Sequence, residues 1–269
     1  MPYHQQLYFE QEGDGRPLLF LHPPGLSGLY WRPILDRLAG RFQAITLDLP
    51  GHGRSGGREH PWSYAPVADQ LAELADHLNL PAPPDPLAPI LVGYSSAATI
   101  ALLAASRAPH RWAGVVGVSV PTPATTPDIA LKVRGGELLL RLGLSAWIGK
   151  QILRTNYVDR AHYQLVLPHA LSVAPTALTA FFHEIRRWDP LTFAPQIRAP
   201  VLLVNGAKDR WLLPYARQLQ ARLPQALLWL HPKADHRVIT REPDRFAAEL
   251  VAFTTLDSDA IGKFRTVTQ

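Results

Sequence analysis

No stretch constrains this chain more than Val92-Gly93-Tyr94-Ser95-Ser96-Ala97-Ala98. A dense apolar run, Ala88 to Val92, enters it, and a run rich in Ala and Leu, Thr99 to Ala105, leaves it. The first reads as a buried strand and the second as a helix. Between them stands Gly-x-Ser-x-Ala, one residue away from the Gly-x-Ser-x-Gly of a nucleophile elbow. Strand and helix nearly collide at such an elbow, so the residues two positions either side of the serine must be small. Gly93 and Ala97 meet that requirement, and Ala98 keeps the helix start slim. The serine is then held on a strained turn, its hydroxyl facing a cleft and the Ser96 amide facing any developing oxyanion. A serine capping an ordinary buried helix has the same local pattern. The rest of the chain has to separate the two.

Taken in order, Tyr3 to Glu10 alternates loosely and meets the turn Gly13-Asp14-Gly15 before the apolar run Pro17 to Leu21. That predicts a hairpin feeding a buried strand. Helical spacing follows at Trp31 to Leu38, a second buried strand at Phe42 to Leu47, and a helix at Tyr64 to Leu78. A Pro-rich linker, Pro81 to Pro89, leads to the elbow strand, and Trp112 to Val118 is the next strand. This rhythm predicts a mainly parallel sheet with helices on both faces, whose ligands sit beyond the carboxyl ends of the strands. From Pro121 to about Pro195 the strands stop and four helix-like segments appear: 129–142, 145–154, 159–167 and 176–187. Strands resume at Val201 to Asn205 and Ala226 to Leu230, with helices at 213–223 and from Pro243 to about Phe253. The expected organisation is a core from residues 1–120 and 196–256, a helical cap from 121–195, and a frayed tail at 257–269.

Composition narrows the function classes. The chain has 269 residues, 47% of them apolar and 18% charged, which is ordinary for a soluble globular protein. Cysteine is absent, which removes disulfides, thiolate nucleophiles and Cys-based metal sites. The net charge of +5 comes from scattered residues rather than a basic stripe interleaved with aromatics, so nucleic acid is not expected as a partner. Met1 to Gln6 lacks a basic segment followed by a long apolar one, so a signal peptide is not expected, and no stretch approaches the ~18 apolar residues of a membrane span. A cytoplasmic enzyme without membrane partners, monomeric or homodimeric, is the expectation.

Three predicted strand ends carry Ser95, Asp209 and His236, in that order. A serine hydroxyl is a weak nucleophile at neutral pH, so an imidazole must take its proton during attack. A carboxylate on the far ring nitrogen fixes the tautomer and stabilises the imidazolium. Taken singly, Asp209 is also a residue that would cap the next helix, and His236 one that would sit on a surface loop. Their joint placement favours the triad. The wider pattern includes Phe20-Leu21-His22-x-x-Gly25, Asp48-Leu49-Pro50-Gly51-His52-Gly53-Arg54-Ser55, Val201-Leu202-Leu203-Val204-Asn205-Gly206-x-x-Asp209 and Ala234-Asp235-His236. With these stretches the chain resembles the α/β-hydrolase fold family with a helical cap, over nearly its full length. The resemblance implies Ser95 as nucleophile, His236 as general base and Asp209 as its partner, in the family's chain order. It also implies that the stretch around His52 is structural.

One departure from the family stands out. Members commonly carry His-Gly-x-Gly before the first sheet helix, and the amide of x donates to the oxyanion. Aligned from His22, Pro23 takes the first Gly and Pro24 takes x, and proline has no amide hydrogen. Either the loop shifts so that Gly25 donates, or another group substitutes, or catalysis is weak; the first is favoured, so the oxyanion hole expected here is Ser96 with the loop at Pro24 and Gly25. Among the aromatics, Trp147, Tyr157, Tyr163, Phe181, Phe182, Trp188 and Trp211 are candidates to line an apolar substrate pocket, and two or three of them are expected to reach it. His162, His169 and His183 are not spaced as metal ligands, and no metal or organic cofactor is implied. Arg186-Arg187 reads as an exposed helix end or as a partner for a substrate carboxylate. The reading is a serine hydrolase working through an acyl-enzyme, first a carboxylic-ester hydrolase on small to medium apolar acyl groups. A carbon–carbon bond hydrolase, a lactonase and a non-catalytic binding protein on the same fold are the alternatives.

Overall fold

A computed structural model describes residues 2–255 apart from 39, 124–126 and 224, so the tail expected at 257–269 lies outside the described residues. Eight strands form one sheet: β1 (Tyr3–His4), β2 (Leu7–Glu12), β3 (Pro17–Leu21), β4 (Gln43–Asp48), β5 (Ile90–Tyr94), β6 (Gly114–Val118), β7 (Val201–Gly206) and β8 (Ala226–His231). Their spatial order is β1-β2-β4-β3-β5-β6-β7-β8. From β4 to β8 every pairing is parallel, while β2 runs antiparallel to both β1 and β4.

The helices are α1 (Arg32–Leu38), α2 (Tyr64–His77), α3 (Ser96–Arg107), α4 (Pro127–Arg141), α5 (Ser145–Thr155), α6 (Arg160–Leu171), α7 (Pro175–Arg187), α8 (Pro190–Phe193), α9 (Leu213–Arg222), α10 (Val238–Arg241) and α11 (Pro243–Thr255). No single helix among the described residues is long and apolar enough to cross a membrane.

Strand periodicity sorts the core into two layers. Leu18 and Phe20 of β3 pack with Ile34, Leu35 and Leu38 of α1 and with Phe246 and Leu250 of α11. Leu19 and Leu21 face the other way, toward Leu71 and Leu74 of α2, Ile100 of α3 and Leu219 of α9. Strands β3, β5, β6 and β7 are buried along their whole length, which explains why they read as unbroken apolar runs rather than as alternating ones.

The first expected pairing needs correction. Tyr3 to Glu10 does not form a hairpin with the run Pro17 to Leu21. Instead β2 folds back on β1 and crosses to pair with β4, with Tyr8 opposite Asp48 and Glu12 opposite Ala44. Strand β3 is unavailable to β2 because β4 and β5 occupy both of its edges. The helix expected at 159–167 also runs on to Leu171, past Pro168.

Between β6 and β7 the described residues carry helices α4 to α8 and no strand. This insertion sits on the loops that follow β3 and β4. A Cβ on Gly25 would lie 2.8 Å from Ile152 of α5, one on Gly51 would lie 2.8 Å from Ala177 of α7, and the Ala174 amide donates to the Gly51 carbonyl at 3.0 Å. Glu184 of α7, buried, accepts the Tyr64 amide at 2.8 Å. It thereby supplies the acceptor at the start of α2 that the side chain of the preceding residue, Ser63, does not.

The elbow is as tight as its composition requires. A Cβ added to Gly93 would stand 2.5 Å from the Ala97 carbonyl oxygen and 2.7 Å from the Ala98 Cα, both backbone atoms with little room to yield. Gly93→Ala is therefore expected to cost about 3 kcal/mol or more of stability. Urea unfolding of the two proteins at neutral pH measures it, and a loss within experimental error of zero would show that β5 and α3 can separate without penalty.

Candidate active site

Ser95 joins β5 to α3 with φ 57° and ψ −132°, a left-handed conformation that a side chain rarely adopts. Its amide donates to the Val118 carbonyl at 2.9 Å, so the strained turn is fixed to the end of β6. Ser96 opens α3, and its amide is among the first donors of that helix, which have no acceptor inside it.

Asp209 lies in the turn after β7, buried. One carboxylate oxygen, Oδ1, accepts the amides of Trp211 and Leu212, each at 3.1 Å. The other, Oδ2, stands 3.6 Å from His236 Nδ1. Asp209 thus caps the turn that follows it and faces the imidazole at once. Burial works to raise its pKa, but His236 and the Leu212 and Trp211 amides outweigh burial and hold the carboxyl below the ordinary range. At 3.6 Å the Asp209–His236 contact is longer than a hydrogen bond.

His236 follows β8 on a loop secured from two sides. The Lys208 amide donates to Ala234 O at 3.0 Å and the Ala207 amide to His231 O at 2.9 Å, which stitches the Asp209 turn to the His236 loop. A Cβ on Gly206 would be 2.1 Å from the Asp235 carbonyl oxygen, so only glycine lets the two loops meet. From the elbow side, the Tyr94 hydroxyl and the Ser119 hydroxyl each donate to the His236 carbonyl at 3.0 Å, and the Tyr94 and His236 rings lie 5.5 Å apart. Tyr94 is the residue before Ser95. The phenol that holds the His236 backbone is therefore anchored beside the elbow serine. The same hydroxyl is 3.0 Å from Asn156 Oδ1 at the end of α5, which brings the insertion into the network.

The profile of the alpha/beta hydrolase family matches residues 18–249, a span that includes the elbow, the Asp209 turn and the His236 loop. The chain belongs to the alpha/beta hydrolase family. It is similar to the pimeloyl-[acyl-carrier protein] methyl ester esterase of Sodalis glossinidius, 36% identical over 94% of this chain and 99% of that one. It is also similar to the magnesium-chelatase 30 kDa subunit of Rhodobacter capsulatus, 32% identical over 80% and 78% of the two chains. Its fold matches that of an esterase from Exiguobacterium antarcticum with a TM-score of 0.80, covering 93% and 96% of the chains at 16% identity.

Within this hydrolase the loop after β3 does not behave as expected. The Gly25 amide does not face Ser95; it donates to His52 Nε2 at 2.9 Å. His22 makes the reciprocal contact, accepting the Leu49 amide on Nε2 at 2.9 Å. Each histidine has its Nδ1 beside a backbone carbonyl, Pro23 for His22 at 2.8 Å and Pro50 for His52 at 3.0 Å. Because Nε2 accepts, Nδ1 carries the proton, and both rings are neutral. The loops after β3 and β4 are thus clasped together, and the Gly25 amide is part of the clasp. Pro24 has no amide to offer in its place. Of the three residues expected to form the oxyanion hole, Ser96 alone retains an uncommitted donor of the right kind. His52 acts structurally, in keeping with the resemblance.

The aromatic candidates separate by position. Trp211, 59% exposed, lines an open cleft of about 450 Å³ whose inner wall carries Asp209 and His236. Phe182 packs on Gly136 of α4, and Phe181 lies against Phe182 with ring centroids 5.1 Å apart. Trp188 donates its indole N–H to Glu184 at 2.8 Å and packs on the core. Trp147 is half exposed and does not line the cleft beside His236. Arg186 pairs with Glu137 of α4, as suits a helix end. His162 accepts the Val158 amide on Nδ1, and His183 lies against Glu184. Among the described residues no group of three or more His, Asp or Glu side chains could hold a metal ion. The functional residues that the sequence did not mark are Tyr94, Ser119 and Asn156. Each acts through a contact to a distant segment, and local pattern carries no trace of it.

The clasp has a pH consequence. Burial lowers the His22 pKa to about 4 and the His52 pKa to about 3. In the unfolded chain both titrate near 6.5, so as pH falls below about 6.5 the unfolded state binds protons that the folded state refuses. Stability is therefore complete above that pH and declines as pH falls toward 4, by an amount of the order of 3 kcal/mol for His22 alone. Thermal unfolding across pH 7 to 4 reads the decline, and the His22→Asn variant should show a shallower slope. An unchanged slope in that variant would remove His22 from the account.

Proposed function

We propose that this alpha/beta hydrolase is a serine hydrolase that cleaves carboxylic esters of small-molecule substrates through an acyl-enzyme. The observation that carries the reading is the shared anchoring of Ser95 and His236. The strained elbow fixes the serine, and Tyr94, one residue earlier, holds the His236 backbone while Asp209 faces the far ring nitrogen. In this reading Ser95 Oγ attacks the ester carbonyl as its proton passes to His236 Nε2. The proton then goes to the departing alcohol, leaving an ester of Ser95. Water repeats the sequence, giving its proton to His236, releasing the carboxylic acid and returning the hydroxyl. Asp209 stabilises the imidazolium in both halves, and the Ser96 amide faces the oxyanion. The helical insertion, packed over the loops at the strand ends, serves as the cap. An ester-cleaving relative at 36% identity supports the same choice of bond.

A second reading has one observation behind it. With Pro24 lacking an amide and the Gly25 amide bonded to His52, a donor that typically contributes 10²–10³ in turnover has no counterpart among the residues expected to supply it. A ligand-binding protein on this scaffold needs no oxyanion hole, because one fold hosts many functions.

An assay on p-nitrophenyl esters of increasing chain length distinguishes them. Wild type is expected to turn over slowly, with an optimum at short to medium acyl chains. Ser95→Ala should lose at least about 10³-fold. Pro24→Gly, which restores an amide hydrogen at that position, should raise kcat by about tenfold or more. Equal inertness of wild type and Ser95→Ala would favour the binding protein.

A further inference from the structure

The cleft beside His236 carries charge that the ester-hydrolase reading does not use. Lys208 and Arg210 flank Asp209 in the turn after β7 and line the cleft together with Trp211, Thr155 and Asn156. Several arginines elsewhere on the surface are matched, as Arg32 is by Glu12 and Asp36, Arg107 by Asp69, and Arg186 by Glu137, while others such as Arg134 and Arg217 are exposed without an ion pair among the described residues. Lys208 and Arg210 have no ion-pair partner among the described residues. Of the two carboxylates in the cleft wall, one is paired with a cation. Asp235 is bonded by Arg237, while Asp209, buried, turns Oδ1 to two backbone amides and Oδ2 toward His236 at 3.6 Å. A third cation stands at the rim, where the Lys132 ammonium of α4 lies 4.9 Å from the centre of the Trp211 ring. The cleft is therefore lined by an ammonium-bearing and a guanidinium-bearing side chain and an exposed indole beside the imidazole, two cations against the single carboxylate of Asp209. A Lys–Arg pair of this kind favours a carboxylate or phosphate oxygen, and the indole favours an apolar segment next to it.

We propose that this cleft is a subsite for an anionic group on the substrate, a carboxylate or a phosphate, with Lys208 and Arg210 as its specificity-determining residues. The proposal rests on the reading of Ser95 and His236 as the reacting pair, since it makes the anion part of the molecule that they cleave. The substrate class becomes an ester that carries a negative charge, with an apolar segment seated against Trp211.

The test compares kcat/KM for p-nitrophenyl butyrate, which is neutral, with that for mono-p-nitrophenyl glutarate, which carries a carboxylate. Wild type should prefer the charged ester, and raising salt should weaken the preference. In the Lys208→Ala/Arg210→Ala double variant the ratio of the two values should fall about tenfold, the scale of one charge-assisted contact, and KM for the charged ester should carry the change. Lys208→Arg/Arg210→Lys should retain the preference. A ratio unmoved by the double substitution overturns the subsite. Inhibition of neutral-ester turnover by sodium glutarate against inorganic phosphate shows which anion the cleft takes, and inhibition by neither overturns the proposal. Should wild type cleave neither ester, the Ser95 reading fails by itself, and calorimetry with glutarate decides the subsite. Binding that the double variant loses upholds it; absent binding, or binding equal in both proteins, overturns it.

Discussion

The approach of β5 to α3 at Gly93 is the constraint on which the rest of the site depends. Any larger residue there would press on the backbone of Ala97 and Ala98. Because the approach is so close, the turn between strand and helix is left with a single residue, and Ser95 takes up a positive φ. The strain is held by bonds at both ends of the turn. Val118 accepts the Ser95 amide, and the Ser95 carbonyl accepts the amide of Ala98. A local clash in sequence terms thus becomes a fixed position for one hydroxyl in space.

Around this point the parallel sheet gathers loops that are far apart in the chain. The loops after β3, β4, β5, β7 and β8 all emerge at the same edge because those strands run in the same direction. Each loop is then tied to a neighbour by polar groups withdrawn from water. His22 and His52 exchange bonds between the β3 and β4 loops, and the Lys208 and Ala207 amides join the β7 and β8 loops. Tyr94 and Ser119 join the His236 loop to the centre of the sheet. Buried polar groups left unpaired are costly, so these ties are hard to break and the edge behaves as one unit. The clasp has a chemical consequence as well. By taking up the Gly25 amide it makes the loop rigid and turns a candidate oxyanion donor elsewhere.

The balance between legible and hidden features follows from the range of each interaction. The buried strands were visible because burial on both faces removes polar residues from five or six consecutive positions. Ser95 and Asp209 were visible because each follows such a strand in a loop, and His236 because it follows β8, an apolar strand only half-buried in its middle. The partner of β2 was not, since an apolar strand carries no mark of which edge will accept it, and that choice depended on β5 filling the far side of β3. The pocket aromatics were equally hidden. Phe181, Phe182, Trp188 and Trp211 have similar apolar surfaces, and only the packing of α7 on α4 and on the core separates the first three from Trp211 at the cleft.

By itself, then, the sequence determined the order of strands and helices, the tight elbow and the three loops that carry serine, carboxylate and imidazole. These rest on hydrophobic periodicity and on backbone sterics, which act within a few residues. Tertiary structure alone decided where the Gly25 amide points, which hydroxyls hold the His236 backbone, and which cations stand beside it without an ion pair. Each of these is a choice among partners far away in the chain, and such a choice is made only when folding brings the competing donors, acceptors and charges within a few ångströms of one another.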